Sequence, residues 1–178
     1  MASMGVLVTP RLILEPMTLP LVEAVFANER AVLEELVAAK VPAAWPGRVL
    51  VERAFSASLE AIRHDPDKRL WGDRLMITNE GERLLVGSVI FHGRPDDGVA
   101  EVGYGVEESW QRQGLASEAT RACVEWALAQ PGIHTVTAMT PPWHVASIRV
   151  LERSGLAKVG IEEHEALGEV VRFIRKRT

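Results

Sequence analysis

The sequence predicts a mixed α/β fold, in which an antiparallel group of strands precedes a strand–helix–strand unit. Three β-type runs separated by polar turns indicate the antiparallel group: Leu75–Thr78, Leu84–His92 and Val99–Val106. An amphipathic helical pattern over residues 114–130 lies between the last of these runs and a further one at His134–Thr140. The 178 residues suit one domain with a sizeable buried core, so we predict a single domain over residues 1–178.

The remaining elements are predicted from the same kinds of pattern. The N-terminal part is predicted as a strand over Leu7–Met17, a helix capped by Thr18 that begins near Pro20, and a second helix over Glu29–Lys40. An ordered loop at Val41–Gly47, with two prolines around a tryptophan, then leads to a helix over Leu50–His64. The C-terminal part is predicted as a helix over Ala146–Ser154 followed by strands at Leu156–Ile161 and Val170–Ile174.

Composition and charge exclude several classes of protein. The net charge of −4 gives no general attraction to nucleic acid or to an anionic membrane, and neither is predicted as a partner. No apolar run reaches the roughly 18 residues that a membrane span needs, and the N-terminus lacks the apolar core of a signal peptide. Cys123 is the single cysteine, which excludes an intramolecular disulfide and a cysteine-based metal cluster. We therefore predict a cytoplasmic protein without a metal site.

The segment Gln111–Ala116 is the most informative candidate for a binding site. It separates the strand Val99–Val106 from the amphipathic helix and contains Gly114. The first turn of a helix has N–H groups without intrahelical partners and partial positive charge, so it can bind a phosphate. From this segment alone, a plain turn that uses glycine for backbone freedom is an equal alternative. The chain has neither a G-x-x-x-x-G-K-[ST] nor a G-x-G-x-x-G motif, which leaves P-loop and dinucleotide-binding folds unsupported.

Four segments, in order along the chain, carry a resemblance to a known family. Gln111, Gly114 and Ala116 match Q/R-x-x-G-x-G/A, and the strand before them, residues 101–106, matches E-[VI]-G-Y-x-[VLI]. Residues 146–156 resemble A-S-x-x-[VL]-[LY]-x-[KR]-x-G-F, with Leu156 at the position of the phenylalanine, and residues 9–14 match the opening T-x-R-L-x-L. The chain thus resembles the GCN5-related N-acetyltransferases, the GNAT superfamily. Within it, the chain is similar to the ribosomal-protein N-terminal acetyltransferase branch, which is RimJ/RimL-like.

The resemblance implies a twisted, mostly antiparallel sheet flanked by helices, with a splayed V between the strands Val99–Val106 and His134–Thr140. It implies that acetyl-CoA lies in this V, with its pyrophosphate on the backbone amides of residues 112–116. The cofactor-binding residues that it implies are Tyr104, Gly105, Val106, Gln111, Arg112, Gln113, Gly114, Leu115, Ala116, His144 and Ser147. Arg112 replaces the glycine that is commoner in the family, and its side chain either contacts a phosphate or points to solvent.

Three catalytic candidates follow from the resemblance, each with a structural alternative. Glu101 is the candidate general base, acting through water, although a strand-end surface carboxylate is an alternative and His92 is a second candidate base. Ser147 matches a thiol-side donor, or it is an ordinary helix-start serine. His144 stands where the family often has an asparagine that contacts CoA. It either replaces the hydrogen bond of that asparagine or handles a proton, or it is an exposed loop histidine. The N–H of Val106 or of a neighbour is the candidate oxyanion donor.

These residues predict an acetyl-CoA-dependent N-acetyltransferase that moves an acetyl group directly to a primary amine, either a protein N-terminus or a small molecule. The alternative is a catalytically silent acyl-CoA-binding sensor or regulatory module. The N-terminal helices and the loop Val41–Gly47 are expected to build the acceptor pocket. Trp45, Trp71 and Trp143 either line it or belong to the core. Cys123 is predicted to be a core residue, and a homodimer is left open by the resemblance.

Overall fold

The computed structural model describes residues 5–43, 45 and 63–178. The chain divides into two compact units, Met1–Ile90 and Phe91–Thr178. Both units combine strands with helices, as the predicted mixed α/β class requires. The single domain over residues 1–178 stays a prediction. Within the described residues, no helix has both the length and the apolar character that crossing a membrane requires.

The strands of the first unit follow one another in the order β1-β2-β3-β4. They are β1 (Leu7–Val8), β2 (Leu12–Pro16), β3 (Asp73–Thr78) and β4 (Leu85–Phe91), and each pairs antiparallel with the next up to β4. The prediction of one strand over Leu7–Met17 was wrong, because a turn separates β1 from β2. Thr9 makes this turn: its N–H donates to the carbonyl of Leu12 at 2.9 Å, and its Oγ1 accepts from the Leu12 N–H at 3.1 Å.

Two helices cover the buried side of the first unit. α1 (Leu19–Phe26) begins at Thr18, whose hydroxyl accepts from the N–H of Leu21 at 3.5 Å, so the predicted cap is confirmed. α2 (Arg30–Val37) is shorter than predicted and ends at Ala38, which has a left-handed φ of +50°. Of the helix predicted over Leu50–His64, residues 63 and 64 are helical and the rest lies outside the described residues. The core of this unit includes Leu21, Val25, Leu33, Trp45, Leu75 and Ile77.

The loop that follows α2 is held by the side chain of Arg30. The guanidinium donates to four backbone carbonyls, at 2.5 to 3.2 Å. The four acceptors belong to Val41, Pro42, Ala43 and Trp45. Glu34 adds a contact from the next turn of α2, since its Oε1 accepts from the N–H of Val41 at 3.1 Å. The described part of the predicted loop is therefore ordered, and Trp45 is buried beneath it.

Arg30→Met is expected to lower the free energy of unfolding by about 1–3 kcal/mol, because four carbonyls, three of them in partly buried contacts, lose charge-assisted hydrogen bonds. Urea unfolding measures this change. Arg63→Met is the matched control, because Arg63 makes only an exposed ion pair with Glu23 among the contacts that the structure gives it, at 3.0 Å. Such a pair contributes at most about 1 kcal/mol. Equal losses in the two variants would contradict the structural role of Arg30.

The second unit contains the predicted strand–helix–strand unit. β5 (Val99–Val106) has the predicted bounds, and α3 (Leu115–Ala129) and β6 (Thr135–Thr140) differ from prediction by one residue at their ends. α4 (Val145–Arg153), β7 (Ala157–His164) and β8 (Gly168–Lys176) complete the unit. The strand order is β5-β6-β8-β7, in which β5 and β6 are parallel and the other pairs antiparallel. A helix between parallel neighbours is the crossover connection that such strands need.

α3 packs its apolar face into this unit and is fixed at its C-terminal end by Arg177. Its buried face includes Leu115, Ala119, Cys123, Val124 and Ala127, so Cys123 is a core residue as predicted. Arg177 donates from Nε to the carbonyl of Leu128 at 2.6 Å and from its guanidinium to that of Gln130. A cation at this end of a helix satisfies carbonyls that have no intrahelical partner.

Candidate active site

β5 and β6 diverge along their length. The two strands pair from Val99 opposite Thr135 to Glu101 opposite Thr137. β6 continues beyond this point paired with β8, while β5 continues to Val106. Gly105 is exposed on this stretch, and a Cβ built on it would meet no atom within 4 Å. This is the predicted splay, and it leaves open space beside Gly105 on β5.

The turn between β5 and α3 presents backbone amides at the start of the helix. A short 3₁₀ helix, Glu108–Trp110, follows β5, and the side-chain amide of Gln111 then folds back to donate to the carbonyl of Val106 at 3.0 Å. Gly114 is the N-cap of α3 and has a φ of +80°, which favours glycine. Because glycine has no side chain, it does not cap the first-turn N–H groups itself. The turn therefore fits an anionic group at the N-terminus of α3.

Arg112 lies in the same turn in a conformation that suits glycine. Its φ is +64°, and its side chain is exposed. A left-handed conformation costs a non-glycine residue about 1–2 kcal/mol. This strain explains physically why glycine is the commoner residue at this position of the motif.

Arg112→Gly is expected to raise the free energy of unfolding by about 0.5–1 kcal/mol, because relief of strain exceeds the added entropy of the unfolded chain. The affinity for acetyl-CoA is expected to change by less than about threefold, since an exposed charge is well screened. Urea unfolding and titration calorimetry measure the two effects. Arg112→Lys keeps both the charge and the strain. A tenfold loss in Arg112→Gly that Arg112→Lys does not show would contradict the solvent-exposed role.

Tyr104 connects β5 to α4. Its hydroxyl lies 2.5 Å from the hydroxyl of Ser147 and donates to the Ser147 carbonyl at 3.0 Å. Burial raises the pKa of Tyr104 above its ordinary value, and the hydrogen bond with Ser147 opposes this only in part. Tyr104 is therefore anchored to the start of α4.

His144 caps α4. Its Nδ1 accepts from the N–H of Ser147 at 3.3 Å, the bond that an asparagine N-cap would accept. A neutral imidazole that accepts at Nδ1 has its proton on Nε2, where it can donate to a ligand. Trp143 stacks on this ring, with centroids 5.4 Å apart and planes 6° apart, and is 77% exposed. Trp143 is thus outside the core, whereas Trp45 and Trp71 are buried.

Glu101 belongs to a row of polar side chains that crosses β5, β6, β8 and β7. Its Oε1 lies 3.6 Å from Nε2 of His92, and Thr137 is its neighbour in the register of β6. Arg172 donates to the hydroxyl of Thr137 at 2.9 Å and to Glu162 at 2.6 Å. The hydrogen bond from Arg172 to Glu162, together with the charges of Glu162 and Glu101, raises the pKa of Arg172. Glu101 therefore lies at the β5 end of an ordered row of polar side chains.

The predicted site residues fall on opposite faces of β5. Successive strand residues point to opposite sides, so Glu101 and Tyr104, three positions apart, lie on different faces. Tyr104, Ser147 and His144 are joined by hydrogen bonds on one side, and Glu101 lies with His92 on the other. Among the described residues, no group of three His, Cys, Asp or Glu side chains is arranged to hold a metal ion.

A family model for the GNAT acetyltransferase domain matches residues 11–157. The chain belongs to the GNAT acetyltransferase family. It is an acetyl-CoA-dependent N-acetyltransferase, and it is 26% identical over 153 residues to the uncharacterized N-acetyltransferase YjdG of Bacillus subtilis (strain 168). That match covers 85% of this chain and 89% of the relative.

Solved structures share the GNAT fold at low sequence identity. The ribosomal-protein-S5-alanine acetyltransferase of Vibrio fischeri has a TM-score of 0.64 at 14% identity, covering 97% of this chain and 96% of that one. The microcin C7 self-immunity acetyltransferase MccE, in complex with acetyl-CoA and AMP, has a TM-score of 0.59 at 15% identity, covering 94% of this chain and 93% of that one. Ribosomal-protein acetyltransferases are thus among the proteins that share this fold.

Proposed function

We propose that acetyl-CoA binds along the open part of β5 with its pyrophosphate at the turn before α3. The fit rests on the exposed edge at Gly105, where a side chain would meet no atom within 4 Å, and on the left-handed Gly114, which leaves the first-turn amides to a ligand. Nε2 of His144 is a further donor, because Nδ1 is taken by the helix cap. Bound acetyl-CoA supplies the activated acetyl group, and the residues of the chain bind and orient it.

We propose that the chain transfers this acetyl group directly to a primary amine. Glu101, acting through water, removes the proton of the amine, and the N–H of Val106 or of a neighbour stabilises the oxyanion. Ser147 faces the departing sulfur. The observation that carries this proposal is the placement of Glu101 and Ser147 on opposite faces of β5. The amine adds to the thioester carbon from one face of the carbonyl, and the thiolate then leaves from the tetrahedral intermediate. The base and the sulfur-side donor therefore act on two different substituents of that carbon and need separate positions.

The acceptor class is proposed as primary amines in general. One structural neighbour is named for an alanine of a ribosomal protein, and another for self-immunity to a microcin. These two names describe different kinds of acceptor, so we do not propose either one as the specific acceptor of this chain. We favour an enzyme over a silent acyl-CoA-binding module, because the cap at Nδ1 leaves Nε2 of His144 to contact CoA in place of the family's asparagine.

An amine panel tests the proposed function. Thiol release from acetyl-CoA is measured with peptides that begin with free alanine or serine, with the same peptides already N-acetylated, and with small amines such as polyamines and amino acids. Release is expected with at least one free amine and with none of the blocked peptides, and mass spectrometry should find one added acetyl group. Tight CoA binding without amine-dependent release across the panel would support the silent module instead. The homodimer stays a prediction from the resemblance, and sedimentation velocity tests it.

A further inference from the structure

The hydroxyls of Tyr104 and Ser147 form a hydrogen-bonded pair that can adopt two proton arrangements. Each hydroxyl has one proton, and the pair includes an additional acceptor, the Ser147 carbonyl, at 3.0 Å from the Tyr104 oxygen. In one arrangement Tyr104 donates to that carbonyl and Ser147 donates to Tyr104. In the other, Tyr104 donates to the Ser147 hydroxyl oxygen, which leaves the serine proton directed elsewhere.

The surroundings keep Tyr104 a donor and hold Ser147 in place. Burial raises the pKa of Tyr104 above its ordinary value of about 10, so the phenol is protonated at neutral pH. The backbone of Ser147 is fixed by the bond from its N–H to Nδ1 of His144. The two hydroxyl groups therefore keep their positions, and mainly the directions of their O–H bonds can change. A negative charge near the Ser147 hydroxyl selects the second arrangement, because a hydroxyl that accepts one hydrogen bond becomes a stronger donor of the next.

We propose that Tyr104 is a positioning residue that directs the Ser147 hydroxyl proton toward the sulfur of CoA. The proposal rests on the proposed function of this site. No covalent bond to the protein is formed: when the C–S bond of the thioester breaks, its electron pair goes to sulfur, and Ser147 donates a hydrogen bond to it. Tyr104 strengthens that hydrogen bond by donating its own hydrogen bond to the Ser147 hydroxyl oxygen, and it retains its proton.

The thiol of bound CoA provides a readout that needs no acceptor. Ultraviolet absorbance reports its ionisation in saturated complexes of the wild type, Tyr104→Phe and Ser147→Ala. Tyr104→Phe is expected to lower the stability of the bound thiolate about tenfold, which is one unit in the thiol pKa, since a hydrogen bond to a charged group is weakened. Affinity for desulfo-CoA is expected to stay within about twofold. Ser147→Ala should raise the thiol pKa at least as far, and the double variant should equal Ser147→Ala alone.

An unchanged thiol pKa in Tyr104→Phe would overturn the proposal, and so would additive effects in the double variant. A loss of affinity for desulfo-CoA as large as the loss of thiolate stability would also overturn it, because it would mean that Tyr104 has a purely structural role. Ser154→Ala is the control for removal of a hydroxyl from the end of α4, since Ser154 donates to the Val150 carbonyl at 2.7 Å. It should leave the thiol pKa unchanged. These titrations contain no amine, so failure of the amine panel and failure of this proposal are separate results.

A measurement on the wild type covers the case in which Tyr104→Phe does not fold. Tyr104 is the only tyrosine of the chain, so a tyrosinate absorbance titration reports its ionisation directly. CoA thiolate near the hydroxyl pair should move that titration to higher pH, and desulfo-CoA should not, because it lacks the sulfur. Equal titrations with the two ligands would overturn the proposal.

Discussion

Gly114→Glu is expected to lower the affinity for acetyl-CoA by more than about 100-fold while leaving the fold intact. Two effects combine. The new carboxylate lies at the N-terminus of α3, where it satisfies the first-turn amides and repels the pyrophosphate at close range. A side chain at a φ of +80° also strains the turn. Titration calorimetry with acetyl-CoA and with CoA measures the loss, and far-ultraviolet circular dichroism checks the fold.

Gly132→Glu is the matched control for Gly114→Glu. Gly132 has nearly the same backbone conformation, with a φ of +79°, and a Cβ built on it would meet no atom within 4 Å. The two variants therefore share the added charge and the backbone strain, and both should lose about 1–2 kcal/mol in urea unfolding. Affinity for acetyl-CoA should fall in Gly114→Glu alone. A similar affinity in both variants would show that the pyrophosphate binds somewhere other than this turn.

Glu101→Gln is expected to lower kcat by about 10²–10⁴-fold with the best amine of the panel, the range that general bases contribute. Affinity for acetyl-CoA should stay within about twofold, because Glu101 lies on the face of β5 opposite Tyr104. The pH profile gives a second signature. Without a base, only amine that is already unprotonated attacks, so the rate of the variant should rise about tenfold per pH unit up to the pKa of the amine.

Two further variants separate catalysis by Glu101 from a general effect of charge. Glu125→Gln removes an exposed carboxylate of α3 that pairs with Arg121 at 3.2 Å, and it should retain the wild-type kcat. His92→Gln removes the neighbour of Glu101 and should have a smaller effect than Glu101→Gln, because the carboxylate remains. A Glu101→Gln variant with wild-type kcat would exclude the carboxylate as the base, and a large loss in His92→Gln alone would assign that role to the histidine.

The elements that the sequence predicted best are those with strong local patterns. The apolar residues of α3 recur at helical spacing, buried positions alternate along β5 as far as Val102, and Gly114 marks the junction, so the bounds of both elements follow from neighbouring residues. The hairpin of β1 and β2 was missed, because Leu7, Leu12 and Leu14 continue an apolar pattern across the turn that Thr9 makes. A two-residue strand carries too little periodicity to be separated from the next.

Side-chain contacts between distant segments were not predictable from the chain alone. In the sequence, nothing distinguishes Arg30 from any other first residue of a helix, yet its side chain binds carbonyls 11 to 15 residues away. The hydroxyl pair of Tyr104 and Ser147 spans 43 residues, and the bond from Arg172 to Thr137 spans 35. Such contacts depend on strand register and helix placement, which tertiary packing sets. The motif matches nevertheless named Glu101, Tyr104, His144 and Ser147, whose mutual arrangement only the structure gives.

Because side chains alternate along β5, the sides on which Glu101 and Tyr104 lie depend on the register of this strand. A shift of one residue in its pairing with β6 would exchange its two faces, so that Glu101 would point toward α4 and Tyr104 away from it. The roles proposed for Glu101 and Tyr104 would then both fail, although every residue would still be present. A single-residue insertion within β5 is thus more damaging than most substitutions there. The turn at residues 93–96 can vary in length as long as the register of Val99 with Thr135 is kept, whereas Asp97 and Gly98 are fixed by hydrogen bonds to Val99, His134 and Thr135.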